Sequence, residues 1–565
     1  MKTNLTIGID LGTTNTVVSV LDNNKPTTLL IDGNKLLPSA VYYSNDTFTV
    51  GQSAKNIAIL EPENTVLSIK RKMGQDIIIQ LGSMKFKPEE ISSFILKKVK
   101  NAVLDFLELK EQIVDAVVTV PAYFTETQRE ATKLSAEMAG LNVLRIINEP
   151  TAAALAFGLN KVDDKKFIIY DFGGGTFDIS VIENNSGIIE VRSTTGDNML
   201  GGDDIDKLLA DFIWLQFLEK YNVKIERTKK INSRLIKIAE ETKIQLSTEK
   251  EVEIKENFFA KQDDKPLHLE LTISRIDFDR LIKDIVLKTT DLINQAVDSA
   301  NLFYNDIEGI ILVGGSSRIP LVQATIEEVT GIVPSLIDLP DEAVSHGATI
   351  QGAIINGIDV DTILVDITPH SLGVKVLDFF SRMNDEERFF VEFLIDKNTP
   401  VPVRKSKNFS AASSFQTGYE IEVYQGESHF PNDNKKIGDC MLEVKNPVEH
   451  GELEVIFELD INGILNIKAT QIGTNDKVEA TFKSSKGIKI KQNNLINNII
   501  GTDTETKNLI ARAEKILERK DLNSEDKDEL NSLLNKFKNE KTDNDSNMKS
   551  TEENLLDLLY YLEEN

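Results

Sequence analysis

Apolar and polar positions change period repeatedly along the first 357 residues. Short β-branched runs at Leu5–Asp10, Val114–Val120, Phe167–Tyr170 and Ile310–Val313 stop at turn-forming residues and predict strands. Between them, Glu89–Leu109 and Thr127–Ala139 recur apolar at helical spacing. This alternation predicts an α/β architecture. After Gly357 the short apolar stretch Thr362-Ile363-Leu364-Val365 is bracketed by aspartates. Tyr419–Tyr424 and Leu453–Leu459 then alternate in faces between Gly, Asn and Pro turns, which predicts an antiparallel β region. From about residue 502 charged helical patterns run on to Asn554–Leu562, and polar Lys541–Ser550 is expected to be a flexible connector between helices.

Length and composition narrow this picture. At 565 residues, with 41% hydrophobic and 27% charged positions, the chain is globular and too long for one domain. A formal charge of −26 disfavours a nucleic-acid partner, so any bound nucleotide must be held by local donors. The lone cysteine, Cys440, excludes an intramolecular disulfide and a cysteine metal site, which fits a reducing compartment. Asp10 interrupts the early apolar stretch, and no apolar run approaches the roughly 18–20 residues of a membrane span. The expectation is a soluble cytoplasmic protein with no membrane partner.

Three glycine turns carry the chemistry. Ile7-Gly8-Ile9-Asp10-Leu11-Gly12-Thr13-Thr14-Asn15-Thr16 is a strand that ends in an aspartate and enters a tight turn. Gly12 permits close backbone approach, amides and threonine hydroxyls can face one anion, and Asp10 could hold a hydrated divalent cation. Alone, this is equally a hairpin with a polar tip. Ile168-Ile169-Tyr170-Asp171-Phe172-Gly173-Gly174-Gly175-Thr176-Phe177-Asp178 repeats the pattern about 160 residues later, suggesting duplicated halves that clamp a nucleotide. No GxxxxGK[ST] occurs, so the cradle is not a P-loop. The third turn, Val313-Gly314-Gly315-Ser316-Ser317-Arg318, could admit a flat adenine against its glycines, with Arg318 stacking on it. Glu240, Lys243 and Ser247 share one helix face suited to ribose and base contacts, although alone they read better as a solvated face.

Together these segments resemble the DnaK-type chaperones of the heat shock protein 70 family over nearly the whole chain. Also family-like are Val120-Pro121-Ala122-Tyr123-Phe124, Ile146-Ile147-Asn148-Glu149-Pro150-Thr151-Ala152-Ala153-Ala154, Gly201-Gly202-Asp203-Asp204 and Asp341-Glu342-Ala343-Val344. Within the family, the chain is most similar to the short HscC branch of bacteria.

The resemblance implies a multidomain chain: an actin-like α/β ATPase domain of duplicated halves (1–357), a linker (358–366), an antiparallel β-sandwich that binds peptide (367–490) and a short helical lid (491–565). It implies ATP or ADP with Mg2+ and K+ as cofactors. Gly12, Thr13, Thr14, Asn15, Gly173, Gly174 and Gly175 would surround the phosphates. Gly201, Gly202, Glu240, Lys243, Ser247, Gly314, Gly315, Ser316, Arg318 and Asp341 would complete the nucleotide site. Asp10 and Asp171 would hold magnesium through water, and Asp178 with Asp10 a monovalent cation. Lys70 would reach the γ-phosphate and orient the attacking water, with Glu149, Asp171 and Thr176 around it. Coupling would run through Pro121 and Arg129 and through the linker Ile363-Leu364-Val365-Asp366, while Arg145, Asn148 and Asp366 would answer a J-domain co-chaperone. Extended segments of unfolded proteins would lie on Val374, Leu377, Ala412, Gln416 and Tyr419, Leu377 and Ala412 arching over them. A nucleotide exchange factor is a further implied partner, and the chain is expected to be a monomer.

Three departures qualify the resemblance. Tyr419 stands where a small β-branched residue is usual, so its ring should narrow or polarise the peptide pocket. The strand Ile179–Gly187 lacks the longer acidic stretch that attracts basic J-domain faces, which implies a specialised or weaker J partner. About 80 residues follow Ser485 and no EEVD-type tail is present, so a truncated lid with fast peptide exchange is expected. An actin-like kinase for a small sugar shares the hairpins but needs neither the linker nor the β region. The retained Lys70, Glu149, Asp171 and Thr176 argue against a non-hydrolysing exchange factor, and the appended β region argues against an actin-like filament protein.

Overall fold

The computed structural model describes residues 6–481, except 24, 45–46, 60, 110–112, 158–164, 186–187, 263–264, 337–338, 359–362, 379–387 and 475. Beyond 481 it describes 513–514, 516–517, 519, 524–543, 551, 555 and 558. The chain divides into two compact units, Met1–Asn356 and Gly357–Asn565.

The first unit contains one sheet pattern twice. In the first half, strand Thr6–Leu11 pairs antiparallel with Asn15–Asp22 and parallel with Val114–Val120, which pairs parallel with Leu141–Asn148; Lys25–Thr28 flanks the hairpin. In the second half, Lys165–Phe172 pairs antiparallel with Phe177–Asn185 and parallel with Gly309–Val313, which pairs parallel with Ser335–Leu336; Ile188–Asp197 flanks the hairpin. Strand order and sense are the same in both, which is what a duplication with facing glycine hairpins requires. Near-continuous apolar runs suit these strands because helices cover the sheets. Ile7, Ile9 and Val118 pack with Ile95 and Val99 of helix Pro88–Phe106, and Ile168, Tyr170 and Leu312 pack with Ile213 and Phe217 of helix Gly202–Tyr221.

Helix starts follow local chemistry. Pro88 opens its helix while Glu90 Oε2 accepts from the Lys87 amide at 2.7 Å, and Gln128 Oε1 accepts from the Thr125 amide at 2.9 Å before helix Glu126–Met138. Predicted and observed ends of these helices agree within three residues.

The second unit is mostly antiparallel. Its sheets run Phe389–Ile395, Leu372–Leu377, Gly418–Gln425, Lys435–Glu443 and Val403–Ser410, Glu452–Leu459, Leu465–Gln471, Lys477–Thr481. Alternate residues of both, such as Ile421, Val423, Val455 and Phe457, share one core. Ile363–Ile367, expected as linker, is a strand pairing antiparallel with Pro400–Val401; Asp359–Thr362 lie outside the described residues. Helix Ser524–Asp543 takes in the first three residues of the expected connector Lys541–Ser550, because Asn539-Glu540-Lys541-Thr542-Asp543 contains no glycine or proline to stop it. Residues 544–550 and most of Asn554–Leu562 lie outside the described residues.

Candidate functional site

The two glycine hairpins meet tip to tip. A Cβ on Gly174 would collide with the Thr14 side chain, and one on Gly175 with that of Thr13. Only glycine lets the second tip approach the first this closely. Gly201 and Gly202 extend the crowding: the Gly202 amide donates to Gly173 O at 3.0 Å and the Asp203 amide to Gly174 O at 2.7 Å. A cavity of about 450 Å³ opens beside the tips. Asp10, Gly12, Thr13, Thr14, Asn15, Lys70, Glu149, Asp171, Gly173, Gly174 and Thr176 border it on the hairpin side, while Glu240, Lys243, Gly314, Gly315, Ser316, Arg318 and Asp341 border it on the other.

Charge is concentrated at the hairpin end. Lys70, in a turn of 3-10 helix, and Glu149, first residue of helix Glu149–Phe157, are 4% and 6% exposed and form a direct ion pair. The ammonium also lies 5.8 Å from the Phe124 ring centroid. Asp171 and Asp178 are cross-strand partners in the second hairpin. Asp10 accepts from Thr119 Oγ1 at 3.2 Å, and Asp178 Oδ1 accepts from the Tyr123 amide at 2.9 Å. Burial first, and the facing Glu149 second, push Asp10 and Asp178 up to about 7 and hold Asp171 well above the carboxylate range. Burial works against the Lys70 ammonium, but Glu149 and Asp10 outweigh it and raise its pKa. Carboxylates held this far above their usual range want a compensating cation. Among the described residues no three acidic, His or Cys side chains converge on one metal position. The buried carboxylates fit a cation, and the glycine-lined cradle beside them fits phosphates.

The opposite wall is tied by its own pairs. Lys243 reaches Asp206 at 2.8 Å and Gly202 O at 3.3 Å, Glu240 pairs with Lys55 at 2.8 Å, and Arg318 pairs with Asp341 at 2.6 Å. Ser316 Oγ donates to Gly173 O at 2.9 Å. Gly314 has φ +79° and sits so close to Phe172 O that a side chain would clash. Ser247 differs from its expected place: helix Lys229–Leu246 ends just before it, its hydroxyl donates to Lys243 O at 3.2 Å, and it does not border the cavity. Seven residues carry it two helical turns beyond Glu240.

Three members of the site, Arg71, Ser68 and Asp206, were not singled out from sequence. Arg71 Nε donates to Gly175 O at 2.8 Å and its guanidinium engages both oxygens of Asp204, which also accepts from the Gly201 amide at 3.0 Å and so caps helix Gly202–Tyr221. Ser68 donates to Asp203 at 2.7 Å. Asp206 carried a usable signal, a carboxylate between Ile205 and Leu209 on the buried helix face. Arg71, adjacent to Lys70, carried none.

Of the coupling residues, Pro121 is buried after strand Val114–Val120, and Arg129 donates to Ala122 O at 3.2 Å and to Asn148 Oδ1. Arg145 is buried on strand Leu141–Asn148. Ile363, Leu364, Val365 and Asp366 lie in the short strand Ile363–Ile367, where Asp366 Oδ1 accepts from the Ile367 amide at 2.9 Å. In the second unit Val374 and Tyr419 are core residues, Leu377 is half-buried at a strand end and Ala412 is exposed. Gln416 closes its own loop, accepting from the Ala412 amide at 2.9 Å and donating to Gly418 O at 2.7 Å.

A doubled sheet of this topology, with acidic glycine hairpins facing across a cleft, defines the actin-like class of nucleotide-binding folds. A family model described as Hsp70 protein matches residues 6–80 and 76–562, and the chain belongs to that family. Its members are chaperones and ATPases that bind ATP or ADP with magnesium, and they engage unfolded peptides and co-chaperones. No helix among the described residues is long and apolar enough to cross a membrane.

Proposed function

We propose that this chain is an ATP-driven chaperone in which the cleft of the first unit hydrolyses ATP and the second unit binds and releases extended peptide. The observation that carries the reading is the pair of facing hairpin tips, with Lys70 and the raised-pKa carboxylates Asp10 and Asp171 at one end of a single cavity. Amides and hydroxyls of Gly12, Thr13, Thr14, Asn15 and Gly173 to Gly175 bind the phosphates. Lys70, freed from Glu149, meets the γ-phosphate and orients water, with Thr176 beside it. Asp10 and Asp171 hold magnesium through water, which supplies charge neutralisation for the phosphates, and Asp178 with Asp10 sites potassium. Phosphoryl transfer asks for this positioning and neutralisation more than for a strong base. Gly201 and Gly202 back the phosphate-binding tips, and Glu240, Lys243, Gly314, Gly315, Ser316, Arg318 and Asp341 hold the nucleoside.

In the same reading Pro121 and Arg129 relay the nucleotide state, Ile363–Asp366 serves as the interdomain linker, and a J-domain partner acts at Arg145, Asn148 and Asp366. The two four-stranded sheets form the peptide-binding β-sandwich, helix Ser524–Asp543 belongs to its lid, and the buried free thiol of Cys440 suits a reducing cytoplasm. The test is ATP turnover with and without a peptide library, in wild type and Lys70→Ala. Peptide-stimulated turnover in wild type and its loss in the variant are expected. Turnover indifferent to every peptide would overturn the coupling, and unchanged activity in Lys70→Ala would overturn the site.

A further inference from the structure

Tyr419 and Gln471 come from different sheets of the second unit and meet beside Gly451. A Cβ built on Gly451 would lie 3.0 Å from the Tyr419 hydroxyl and 2.9 Å from Gln471 Nε2. Tyr419 is 7% exposed and Gln471 0%. The tyrosine hydroxyl and both heteroatoms of the glutamine amide have no hydrogen-bond partner among the described residues. Three orphaned polar atoms at one buried point are rare, because each forfeits its hydration without return. The loop above does not supply the missing partner. Gln416 is occupied with Ala412 and Gly418, and the Phe415 and Ala411 amides are taken by Val448 O at 3.2 Å and Gly451 O at 2.8 Å.

Resting on the peptide-binding reading above, we infer that Tyr419 and Gln471 form a polar selectivity pocket that takes a hydroxyl or carboxamide side chain of the bound peptide. The hydroxyl can donate or accept, and the amide presents one of each, so a Ser, Thr, Asn or Gln side chain can pair with both. A leucine side chain would leave all three atoms unpaired. A carboxylate would bring charge into a buried site that holds no cation. Sites built to hydrogen-bond a ligand discriminate strongly against the analogue that lacks the group.

The experiment is fluorescence anisotropy of the full-length chain with ADP, using labelled heptapeptides that differ only at the central residue, Asn, Thr or Leu. The polar-centred peptides are expected to bind about ten- to hundredfold more tightly than the Leu-centred one. Tyr419→Phe and Gln471→Leu, each nearly isosteric, should erase the preference while keeping or improving affinity for the Leu peptide. Circular dichroism on both variants checks the fold, and either one suffices if the other fails to fold. Equal or tighter binding of the Leu peptide by wild type would leave the chaperone reading standing and overturn the pocket, the orphaned atoms then serving a buried water only. A preference unchanged in both variants would also overturn it. Binding of none of the peptides would overturn the peptide-binding reading and this inference with it.

Discussion

Asp178 offers a direct measure of how the cleft stores charge. The side chain is 1% exposed; one carboxylate oxygen accepts from the Tyr123 amide at 2.9 Å, and the other has no partner among the described residues. Burial, followed by repulsion from Glu149, holds its pKa at about 7 against an ordinary 3.8. The unfolded chain releases this proton near pH 4 and the folded chain near pH 7. Between those values the folded state binds more protons, so stability falls as pH rises through the window and is lowest above it. From about pH 5 to about pH 8, one such carboxylate removes roughly 2–3 kcal/mol. Spread over an unfolding entropy of about 2.1 cal/mol/K per residue in a unit of 356 residues, that is about 3–4 °C in melting temperature. Asp178→Asn keeps an acceptor for Tyr123 and carries no charge. Differential scanning calorimetry without metal or nucleotide, at about pH 5 and about pH 8, should show the wild-type midpoint falling about 3–4 °C further than the variant's. Equal falls in both proteins would refute the reasoning. Potassium added at the higher pH should restore part of the wild-type midpoint and leave the variant unmoved.

The remaining substitutions address separate parts of the cleft. Lys70→Ala should lower single-turnover ATP hydrolysis by about a hundredfold or more. It should also cost about 3–5 kcal/mol of stability by stranding Glu149, a loss that Lys70→Ala with Glu149→Gln largely restores in denaturant titration. Arg71→Ala removes the bonds to Gly175 O and Asp204, so stopped-flow release of a fluorescent ADP should quicken at least about tenfold. Ser247→Ala should leave nucleotide affinity within about twofold by calorimetric titration, since the hydroxyl serves its own helix.

Residues next to the glycine turns were legible because their chemistry is local. A strand that ends in aspartate and turns on glycine states the position of Asp10 or Asp171 without knowledge of the rest of the fold. The repeat of that pattern also announced the doubled sheet. Ser247 follows the last residue of helix Lys229–Leu246 and its hydroxyl returns to Lys243 O, because helical spacing places residues on a face but does not say where along the face the helix ends. Arg71 with Asp204 and Lys243 with Asp206 were illegible because each pair joins elements more than 30 residues apart, and nothing in either local pattern names the other. Tyr419 was legible as a departure from a small residue, but its meeting with Gln471 depends on how two sheets stack, which alternation alone does not encode.

Both units hold buried polar atoms without a partner among the described residues, Asp178 Oδ2 and Asp206 Oδ1 among those of the first and Tyr419 with Gln471 among those of the second. A fold selected for stability alone would pair such atoms or replace them, so their retention marks where a ligand is expected to complete the bonding. Gln471 pairs across the ladder with Leu453, a member of the second unit's core. Gln471→Leu exchanges two unpaired amide atoms for methyls at nearly constant volume and should stabilise the second unit by about 1–3 kcal/mol. Leu453→Ala, one position across the ladder, should destabilise it by about 2–5 kcal/mol through the cavity it leaves. Urea unfolding of the two variants separates the cases. A loss of stability in Gln471→Leu would mean that the amide is already satisfied without a ligand, and the reading of that point as a binding pocket would fail with it.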